Sequence, residues 1–458
     1  MMLFPGRFAM QAAMYVALCC AWWAQPSWGQ ESAPQTTSLP DDYSCILCHR
    51  KGGDLWTEST PLVDENAVAK DIHWQKGLRC HDCHGGSSVL SGFQNHRTDP
   101  TFRSLSSRAD IPAFCGHCHS DIDFMRQYNP SARTDQEEEY WTSGHGRRLR
   151  ASTEGDSPQV DIGVATCVDC HGHHGILAVN DSNAPVYPTH VAETCSRCHS
   201  DAERMAGRAY RDRPLGHGQF DQWKQSVHGQ AMLKKGDLSA ATCNDCHGNH
   251  GAVPPGVNSV ANACGTCHGK VAKLFAETQM KHKFEESGLP GCATCHGTHN
   301  ISQPSDEMLG FVDGTVCWRC HNPEHPQYGA TVAGGDVARK MRLGLDQLKQ
   351  EIALAEADIR EAERLGMQVR GPRFDLRQAF DALTNARTLV HGFSPGPIEE
   401  TLSEGLKVTS DVRSAAAGAL REHTRRRIWL ACSLVPILIV VSLLLYCIRM
   451  LPVPTQDG

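Results

Sequence analysis

Apolar positions after residue 336 follow a helical period. From Met341 to Ala362 they alternate spacings of four and three, the narrow stripe of a helix that packs against partner helices. The stripe consists of Met341, Leu345, Leu348, Ile352, Ala355, Ile359 and Ala362. Glycines and a proline at 366, 371 and 372 end it. Further helices are predicted from about Phe374 to His391 and from about Ile398 towards Arg427. We predict a helical hairpin, bundle or stalk over residues 336–427 rather than a long linker.

The next stretch is continuously apolar. Residues 428–448 carry no charged side chain, and such a run is long enough to cross a bilayer as a helix. Trp429 and Tyr446 lie near its ends, where interfacial aromatic residues are found. We predict one transmembrane helix over 428–448 and a short cytoplasmic tail over 449–458. The arginines at 425–427 would then lie on the exported side, against the positive-inside tendency, where anionic headgroups or a partner could bind them.

The N-terminus carries another apolar run. Arg7 precedes apolar residues 8–23, and the small residues Ser27 and Gly29 allow cleavage before Gln30. This layout predicts a secretory signal peptide over residues 1–29. An uncleaved anchor helix is the alternative, although the run is short for a membrane span. Residues 30–40, rich in Pro, Ser and Thr, are predicted to form a linker.

Residues 41–325 offer little material for a hydrophobic core. Leu, Ile, Val and Phe make up about 45 of roughly 285 residues, near 16%, below the ~20% under which a chain is suspected of not folding. Conformational entropy would defeat such a segment unless other apolar material were buried with it. The net charge of −7, without a basic patch, argues against nucleic-acid binding. The sequence also lacks phosphate-loop and nucleophile-elbow motifs.

The cysteines indicate where the missing apolar material comes from. Nine copies of Cys-x-x-Cys-His occur between Cys45 and His321. Two thiols at this spacing can add to the vinyl groups of a haem while the adjoining imidazole binds its iron, so the motif predicts c-type haem attachment. The thiols are Cys45, Cys48, Cys80, Cys83, Cys115, Cys118, Cys167, Cys170, Cys195, Cys198, Cys243, Cys246, Cys264, Cys267, Cys292, Cys295, Cys317 and Cys320. The iron ligands within the motifs, which we call proximal, are His49, His84, His119, His171, His199, His247, His268, His296 and His321.

Zinc sites and disulfides explain this pattern less well. Zinc needs four ligands, usually from paired Cys-x-x-Cys knuckles; nine knuckles leave one unpaired and give no role to the histidine after each. The 22 cysteines are an even number, as in a disulfide framework, but the four outside the motifs lie in the apolar segments at the chain's ends. We therefore predict nine covalently bound haems c over residues 41–325, whose porphyrin faces form the core.

An internal repeat runs from His73 onward. Each of four repeats holds a leading histidine, a haem motif, usually a Gly-x-His tail, and a second haem motif, while the motif at Cys45 precedes them all. The phrases Ser-Gly-His145-Gly and Ser-Val-His228-Gly carry two of the leading histidines, and short helices over 135–142 and 219–226 are predicted to present them. The repeat nominates eight iron ligands for the opposite, distal faces. They are His73, His96, His145, His174, His228, His250, His282 and His299.

Some distal assignments leave alternatives. In the first repeat Gly85 and Gly86 replace the Gly-x-His tail, which weakens the case for His96, and His173 competes with its neighbour His174. For the first haem, four histidines compete as distal ligand: His190, His217, His325 and His391. The 12 methionines show no matching period, so we expect ligation by two histidines, which gives lower potentials than histidine with methionine.

The run from Cys80 to His321, with its Ser-x-His-Gly and Cys-x-x-Cys-His-Gly-x-His phrases, resembles the multihaem cytochromes c of bacterial anaerobic respiration, in particular tandem cytochrome c3/c7-type haem pairs. The helical region and single terminal span resemble the membrane-anchored members of that group. The resemblance implies a mainly irregular and α-helical haem domain with little β structure, followed by a helical bundle or stalk and one transmembrane helix. His73 departs from the pattern, because Ile-His-Trp replaces Ser-x-His-Gly there.

The resemblance also implies a function. Members of the group pass electrons between a membrane quinol-oxidising complex and periplasmic or outer-membrane acceptors, with the haem domain in the periplasm and the anchor in the inner membrane. We expect an electron carrier with no catalytic residue. The alternative is a multihaem oxidoreductase with one open-coordination haem that reduces a small nitrogen or sulfur oxyanion. At the catalytic haem of nitrite-reducing relatives of the group, lysine replaces the motif histidine. None of the nine motifs here has that replacement, which argues against the alternative. A third hypothesis is a structural or assembly subunit.

Overall fold

The computed structural model describes residues 43–450 together with Leu39, except for residues 54–56, 59, 88–98, 155–162, 211, 255–259 and 311. The predicted signal peptide, nearly all of the predicted linker, residues 451–458 of the predicted cytoplasmic tail and His96 lie outside the described residues. The chain forms two compact bodies. The N-terminal body comprises residues 1–138 and 148–187, and the C-terminal body comprises residues 139–147 and 188–458.

Short helices make up most of the regular structure before residue 330. In the first half of the chain they are α1 (Ser44–His49), α2 (Glu65–Lys70), α3 (Ile72–Gln75), α4 (Cys80–His84), α5 (Ile111–His119), α6 (Ile122–Tyr128), α7 (Gln136–Thr142), α8 (Gly144–Thr153) and α9 (Cys167–His171), with a 3-10 turn at Arg108–Asp110. Helices this short are marginal alone, so they depend on what they pack against.

The same pattern continues in the C-terminal body. Its short helices are α10 (Pro188–His199), α11 (Ala202–Met205), α12 (Gln219–Gln225), α13 (Val227–Lys235), α14 (Cys243–His247), α15 (Val260–Gly265), α16 (Gly269–Ala276), α17 (Gln279–Glu286), α18 (Gly291–His296) and α19 (Trp318–His321), with a 3-10 turn at Asp306–Leu309. Two strands of two residues each, β1 (Ala209–Tyr210) and β2 (Arg213–Pro214), form the only sheet among the described residues.

Three long helices follow and pack as a bundle. They are α20 (Val332–Arg364), α21 (Arg370–Leu389) and α22 (Pro395–Met450), with a 3-10 turn at Val390–Gly392 between the last two. The predicted stripe from Met341 to Ala362 is the buried face of α20. It meets Leu376, Ala379, Leu383 and Ala386 of α21 and Ile398, Leu402 and Val412 of α22.

Two glycines let α20 and α22 approach closely. Leu402 packs against Gly344, and Leu348 packs against Gly405, where an added Cβ would lie 2.8 Å from the Leu348 Cδ2 atom. Further along, Arg413 of α22 donates hydrogen bonds to Glu351 and Asp358 of α20 at 2.9 and 3.0 Å. Contacts therefore advance along both helices together, so α20 and α22 run parallel and α21 returns between them.

The chain between the last two haem motifs is fastened to this bundle. The Asp306 carboxylate, 7% exposed, accepts two hydrogen bonds from the Arg387 guanidinium of α21, both at 2.8 Å. It also pairs with the Lys349 ammonium of α20 at 3.1 Å. Hydrogen bonds from Arg387, outweighing the cost of burial, and the charge of Lys349 hold the pKa of Asp306 below its usual value.

The predicted fold class is confirmed: the described chain is mainly helical and irregular, with a helical bundle and one long apolar C-terminal helix. The third bundle helix begins at Pro395, slightly before its predicted start, because proline is well suited to a first helical turn. It continues without a break into the apolar residues 428–448, whose side chains are exposed. This helix is long and apolar enough to cross a membrane.

Candidate haem-binding sites

The Cys-x-x-Cys-His motifs lie in short helices or at helix ends. Three of them read Cys-x-Asp-Cys-His, and in each the aspartate closes the start of the helix. Asp82, Asp169 and Asp245 accept a hydrogen bond from the backbone N–H of the residue before the first cysteine, at 2.6, 2.7 and 2.7 Å. This bond satisfies a donor that the helix itself cannot, and so fixes the direction in which the thiols and the imidazole project.

Several proximal histidines are oriented by a backbone carbonyl. The Nδ1–H groups of His49, His247 and His321 donate to the carbonyls of Pro61, Val253 and Thr331 at 2.7, 3.2 and 2.6 Å. Such a bond places the proton on Nδ1 and the lone pair on Nε2, which is the tautomer of metal-binding histidines. These side chains therefore have the tautomer that can bind iron through Nε2.

Six proximal histidines each face a second histidine across a gap of nearly constant width. The ring centres lie 5.9 to 6.3 Å apart. Two imidazoles that bind one metal from opposite sides, each through a bond of about 2 Å, have ring centres roughly 6 Å apart. The gap therefore fits an iron atom. The pairs are His119 with His73, His84 with His174, His199 with His145, His268 with His228, His247 with His299, and His296 with His391.

Burial keeps many of these imidazoles neutral. It lowers the pKa of paired histidines on both sides of the gap, namely His199, His228, His247, His296 and His299. A histidine must be unprotonated at the binding nitrogen to accept a metal. The protein environment thus favours the ligating form of these side chains.

The leading histidines are held by a shared helix start. In α8 and α13 a buried serine precedes the histidine by two residues: Ser143 precedes His145 and Ser226 precedes His228. Each serine Oγ accepts from the backbone N–H three residues on, at 2.9 and 3.1 Å. The leading histidine then faces the second proximal histidine of its own repeat, as His145 faces His199 at 6.0 Å.

His73 lacks the serine but has an aspartate in its place. Asp71 accepts from the His73 Nδ1–H and backbone N–H, both at 2.9 Å, and from the backbone N–H of Ile176, also at 2.9 Å. Burial alone would raise the pKa of Asp71, but the bonds from His73 and Ile176 outweigh it and lower the pKa. The departure from Ser-x-His-Gly therefore does not leave His73 unsupported: its Nε2 is free towards His119.

Each of two tail histidines faces the first proximal histidine of the preceding repeat, not a histidine of its own repeat. His174 follows the motif at Cys167 but faces His84, and His299 follows the motif at Cys292 but faces His247. The glycine after each motif histidine explains this, since Gly172 and Gly297 have φ values of +87° and +79°. At this left-handed backbone position, which favours glycine, the chain turns away from its own motif. The tail therefore serves a neighbouring site.

His391 comes from the helical bundle. It lies in the 3-10 turn between α21 and α22, and its ring centre is 6.1 Å from that of His296, with the two rings 20° from parallel. Its Nδ1–H donates to the Thr388 carbonyl at 3.0 Å, which leaves Nε2 free. In the sequence it was one of four candidates for the first haem. No repeat phrase surrounds it, so the repeat pattern did not connect it with His296.

The remaining candidates are placed as follows. His250 is half-buried, with Nδ1 3.9 Å from Glu139 Oε2. The side chain of His282 is 69% exposed and faces Glu285. His173 stacks edge-on against His174. Among the competitors for the first haem, His217 and His325 are exposed and His190 is half-buried.

Within each body, consecutive haem motifs are neighbours in space. The first cysteines of adjacent motifs share side-chain hydrogen bonds, which lower the pKa of Cys45 to about 6 and of Cys292 to about 7. The four hydrogen-bonded pairs are Cys45 with Cys80, Cys115 with Cys167, Cys195 with Cys243, and Cys264 with Cys292. In three of the four intervening steps, a second cysteine lies within electrostatic range of a cysteine of the next motif: Cys83 with Cys118, Cys246 with Cys267, and Cys295 with Cys317 and Cys320. Within each body, the attachment sites therefore follow one another in sequence order.

Comparisons with known proteins agree with haem attachment. A family model described as Cytochrome c3 matches residues 234–322, the part of the chain that holds the last four motifs. The chain is 24% identical to the multiheme cytochrome MtrA of Shewanella baltica over 298 residues, covering 58% of this chain and 80% of that protein. It is 25% identical to the C-type polyheme cytochrome OmcC of Geobacter sulfurreducens over 190 residues, covering 37% of this chain and 21% of that protein. No solved structure matches.

Proposed function

We propose, from the premise that this chain is a multihaem c-type cytochrome, that it carries nine covalently bound haems and transfers electrons along them. The gap of 5.9 to 6.3 Å between facing imidazoles carries the proposal. One iron held by both imidazoles would fit a gap of that width. Such an iron offers no free position to a substrate, which suits electron transfer better than catalysis.

The ligand pairs follow from the facing rings. The six pairs given above would bind the irons of the motifs that begin at Cys80, Cys115, Cys195, Cys243, Cys264 and Cys292. His96 and His250 remain predicted distal ligands from the sequence repeat. In each motif the two cysteines would form thioethers with the porphyrin, and the haem iron would supply reversible one-electron chemistry. Ligation by two histidines favours low potentials.

The order of the motifs supports a conduction path. Successive motifs approach one another through their cysteines, first through one pair of first cysteines and then through one pair of second cysteines. Cys195 lies near Cys243 in one step, and Cys246 lies near Cys267 in the next. This chain contributes spacing and ligands, with burial favouring neutral imidazoles. Within each body, this arrangement in sequence order brings each attachment site next to the following one.

A membrane-anchored location completes the proposal. Residues 428–448 of α22 would cross the inner membrane, with the haem-binding residues exported to the periplasm by the signal peptide at 1–29. Arg425 and Arg426, both exposed and paired with Glu422, would lie at the headgroups. The donor would be a membrane quinol-oxidising complex, and the acceptors would be other periplasmic or outer-membrane redox proteins.

Intact-mass spectrometry of the detergent-extracted protein tests the haem count, and low-temperature electron paramagnetic resonance tests ligation. We expect a mass with nine haem adducts, no signal peptide, and ferric signals that are low-spin throughout. In a reconstituted membrane, a quinol-oxidising complex should reduce the haems. A polypeptide without adducts would overturn the proposal. A high-spin ferric signal, abolished by changing one motif, would favour an oxidoreductase with an open iron instead.

A further inference from the structure

Two of the leading histidines follow an identical structural unit, which recurs without a histidine in the fourth repeat. In the second and third repeats a buried aromatic residue is followed three positions later by a buried serine. The Ser143 Oγ–H donates to the Tyr140 carbonyl at 2.6 Å, and the Ser226 Oγ–H donates to the Trp223 carbonyl at 2.7 Å. Two positions after the serine stands the histidine that faces a proximal partner.

Phe275 and Thr278 reproduce this unit in the fourth repeat. The Thr278 Oγ1–H donates to the Phe275 carbonyl at 2.7 Å and accepts from the backbone N–H of Lys281 at 3.1 Å. Phe275 and Thr278 are 7% and 8% exposed, and they are therefore buried like the aromatic residue and the serine of the other two repeats. The residue two positions after Thr278 is Met280, which is half-buried like His145 and His228.

His282, the ligand predicted from sequence, is out of this register. It stands two residues beyond Met280 in α17, which turns it by about 200° around the helix. Its side chain is 69% exposed and lies 4.0 Å from Glu285. The helix start that precedes the paired histidine in the other repeats therefore places Met280, not His282, at the equivalent position.

The pairing rule identifies the iron that Met280 would bind. In the first three repeats the residue two positions after the helix cap faces the second proximal histidine of the same repeat: His73 faces His119, His145 faces His199, and His228 faces His268. The second proximal histidine of the fourth repeat is His321. Its Nδ1–H donates to the Thr331 carbonyl, so its Nε2 is free.

We infer that the Met280 thioether is the distal ligand of the iron bound by His321, which makes the last haem a histidine/methionine site in an otherwise bis-histidine series. This inference rests on the proposed haem function and deepens it. Thioether ligation raises the reduction potential of a haem. The haem at Cys317 would then collect electrons from the haems before it.

The test uses the full-length holoprotein and three variants. Ferric histidine/methionine haem has a weak sulfur-to-iron charge-transfer band at the red end of its spectrum, which bis-histidine haem lacks. We expect this band in the wild type at the strength of one haem. M280L should abolish it and turn one haem high-spin. M280H should abolish it, keep every haem low-spin and lower one potential in a redox titration. H282Q should change neither the band nor the potentials.

Two results would overturn the assignment: a wild type without the band, or a band that survives in M280L. A high-spin haem in H282Q, together with only low-spin haems in M280L, would show that His282 and not Met280 is the distal ligand. Haem counting by intact mass separates this test from the proposed function. Nine haems with no band would remove only Met280 as a ligand, whereas missing haems would remove the function itself.

Discussion

The ring of His391 stands 6.1 Å from that of His296 and nearly parallel to it, although one belongs to a bundle turn and the other to a haem motif. The bundle thus meets the haem motif that begins at Cys292 through two facing imidazoles as well as through packing. Phe393, two residues further along, meets Phe275 edge-on with ring centres 6.4 Å apart.

Replacing His391 by alanine should open one iron. We expect H391A to retain all its haems, because attachment depends on the motif cysteines, but to convert one haem from low to high spin. Electron paramagnetic resonance measures the change. H423A, which removes a half-buried histidine elsewhere in α22, is the matched control and should stay fully low-spin. An unchanged H391A spectrum would show that His296 has another partner.

Removing the Asp71 carboxylate should loosen a ligand without deleting it. In D71A the His73 Nδ1–H and the Ile176 N–H both lose their acceptor. An unsatisfied buried donor costs about 1–3 kcal/mol, and partners of metal ligands tune the metal itself. We expect a lower melting temperature and a raised potential for one haem, measured by thermal unfolding and redox titration. D99A, at an aspartate bonded to Thr101, should move neither; equal shifts in both variants would contradict a role through His73.

Acid should weaken the attachment of the bundle through Asp306. Because its folded-state pKa is lowered, its stabilisation is complete above the unfolded value of about 4 and is lost as the pH falls through the folded pKa. Near neutral pH, D306A should lower the free energy of unfolding by about 2 kcal/mol, and its deficit should shrink below about pH 4. Urea unfolding at several pH values measures this. E307A, at an exposed residue bonded to Arg342, should cost much less; a deficit in D306A that does not vary with pH would exclude the ionised pair as its source.

Filling the close contact at Gly405 should strain the bundle. A larger side chain there meets Leu348, and overpacking a core costs about 1–3 kcal/mol. We expect G405L to lower the urea midpoint of the helical signal. Gly418, in the same helix, has only the tip of Arg421 within 4 Å of an added Cβ. G418L should therefore be neutral or stabilising, by up to about 1 kcal/mol, and a loss in G418L equal to that in G405L would argue against overpacking.

Local patterns in the sequence predicted those structural features that depend on residues close together along the chain. The stripe from Met341 to Ala362 predicted the buried face of α20, and the helices predicted over 135–142 and 219–226 correspond closely to α7 and α12. Pairings between distant residues could not be read in this way. The offset of His174 to His84 depends on a left-handed turn at Gly172, and His391 reaches His296 only because α21 returns along α20. Met280 does not follow a Ser-x-His phrase, because Thr278 replaces the serine and methionine the histidine, and only the hydrogen bonds of Thr278 mark its position as equivalent.

The unbroken helix α22 fixes the distance between the turn that carries His391 and the apolar residues 428–448. From Pro395 to the start of the apolar segment at Ile428 it rises by about 50 Å, and the turn that carries His391 stands at its upper end. If residues 428–448 cross a bilayer as proposed, a quinol within it would be too distant to contact the site of His296 and His391. A donor to this site would then be a protein that projects a comparable distance, and shortening α22 by whole turns would change which donors can reach it.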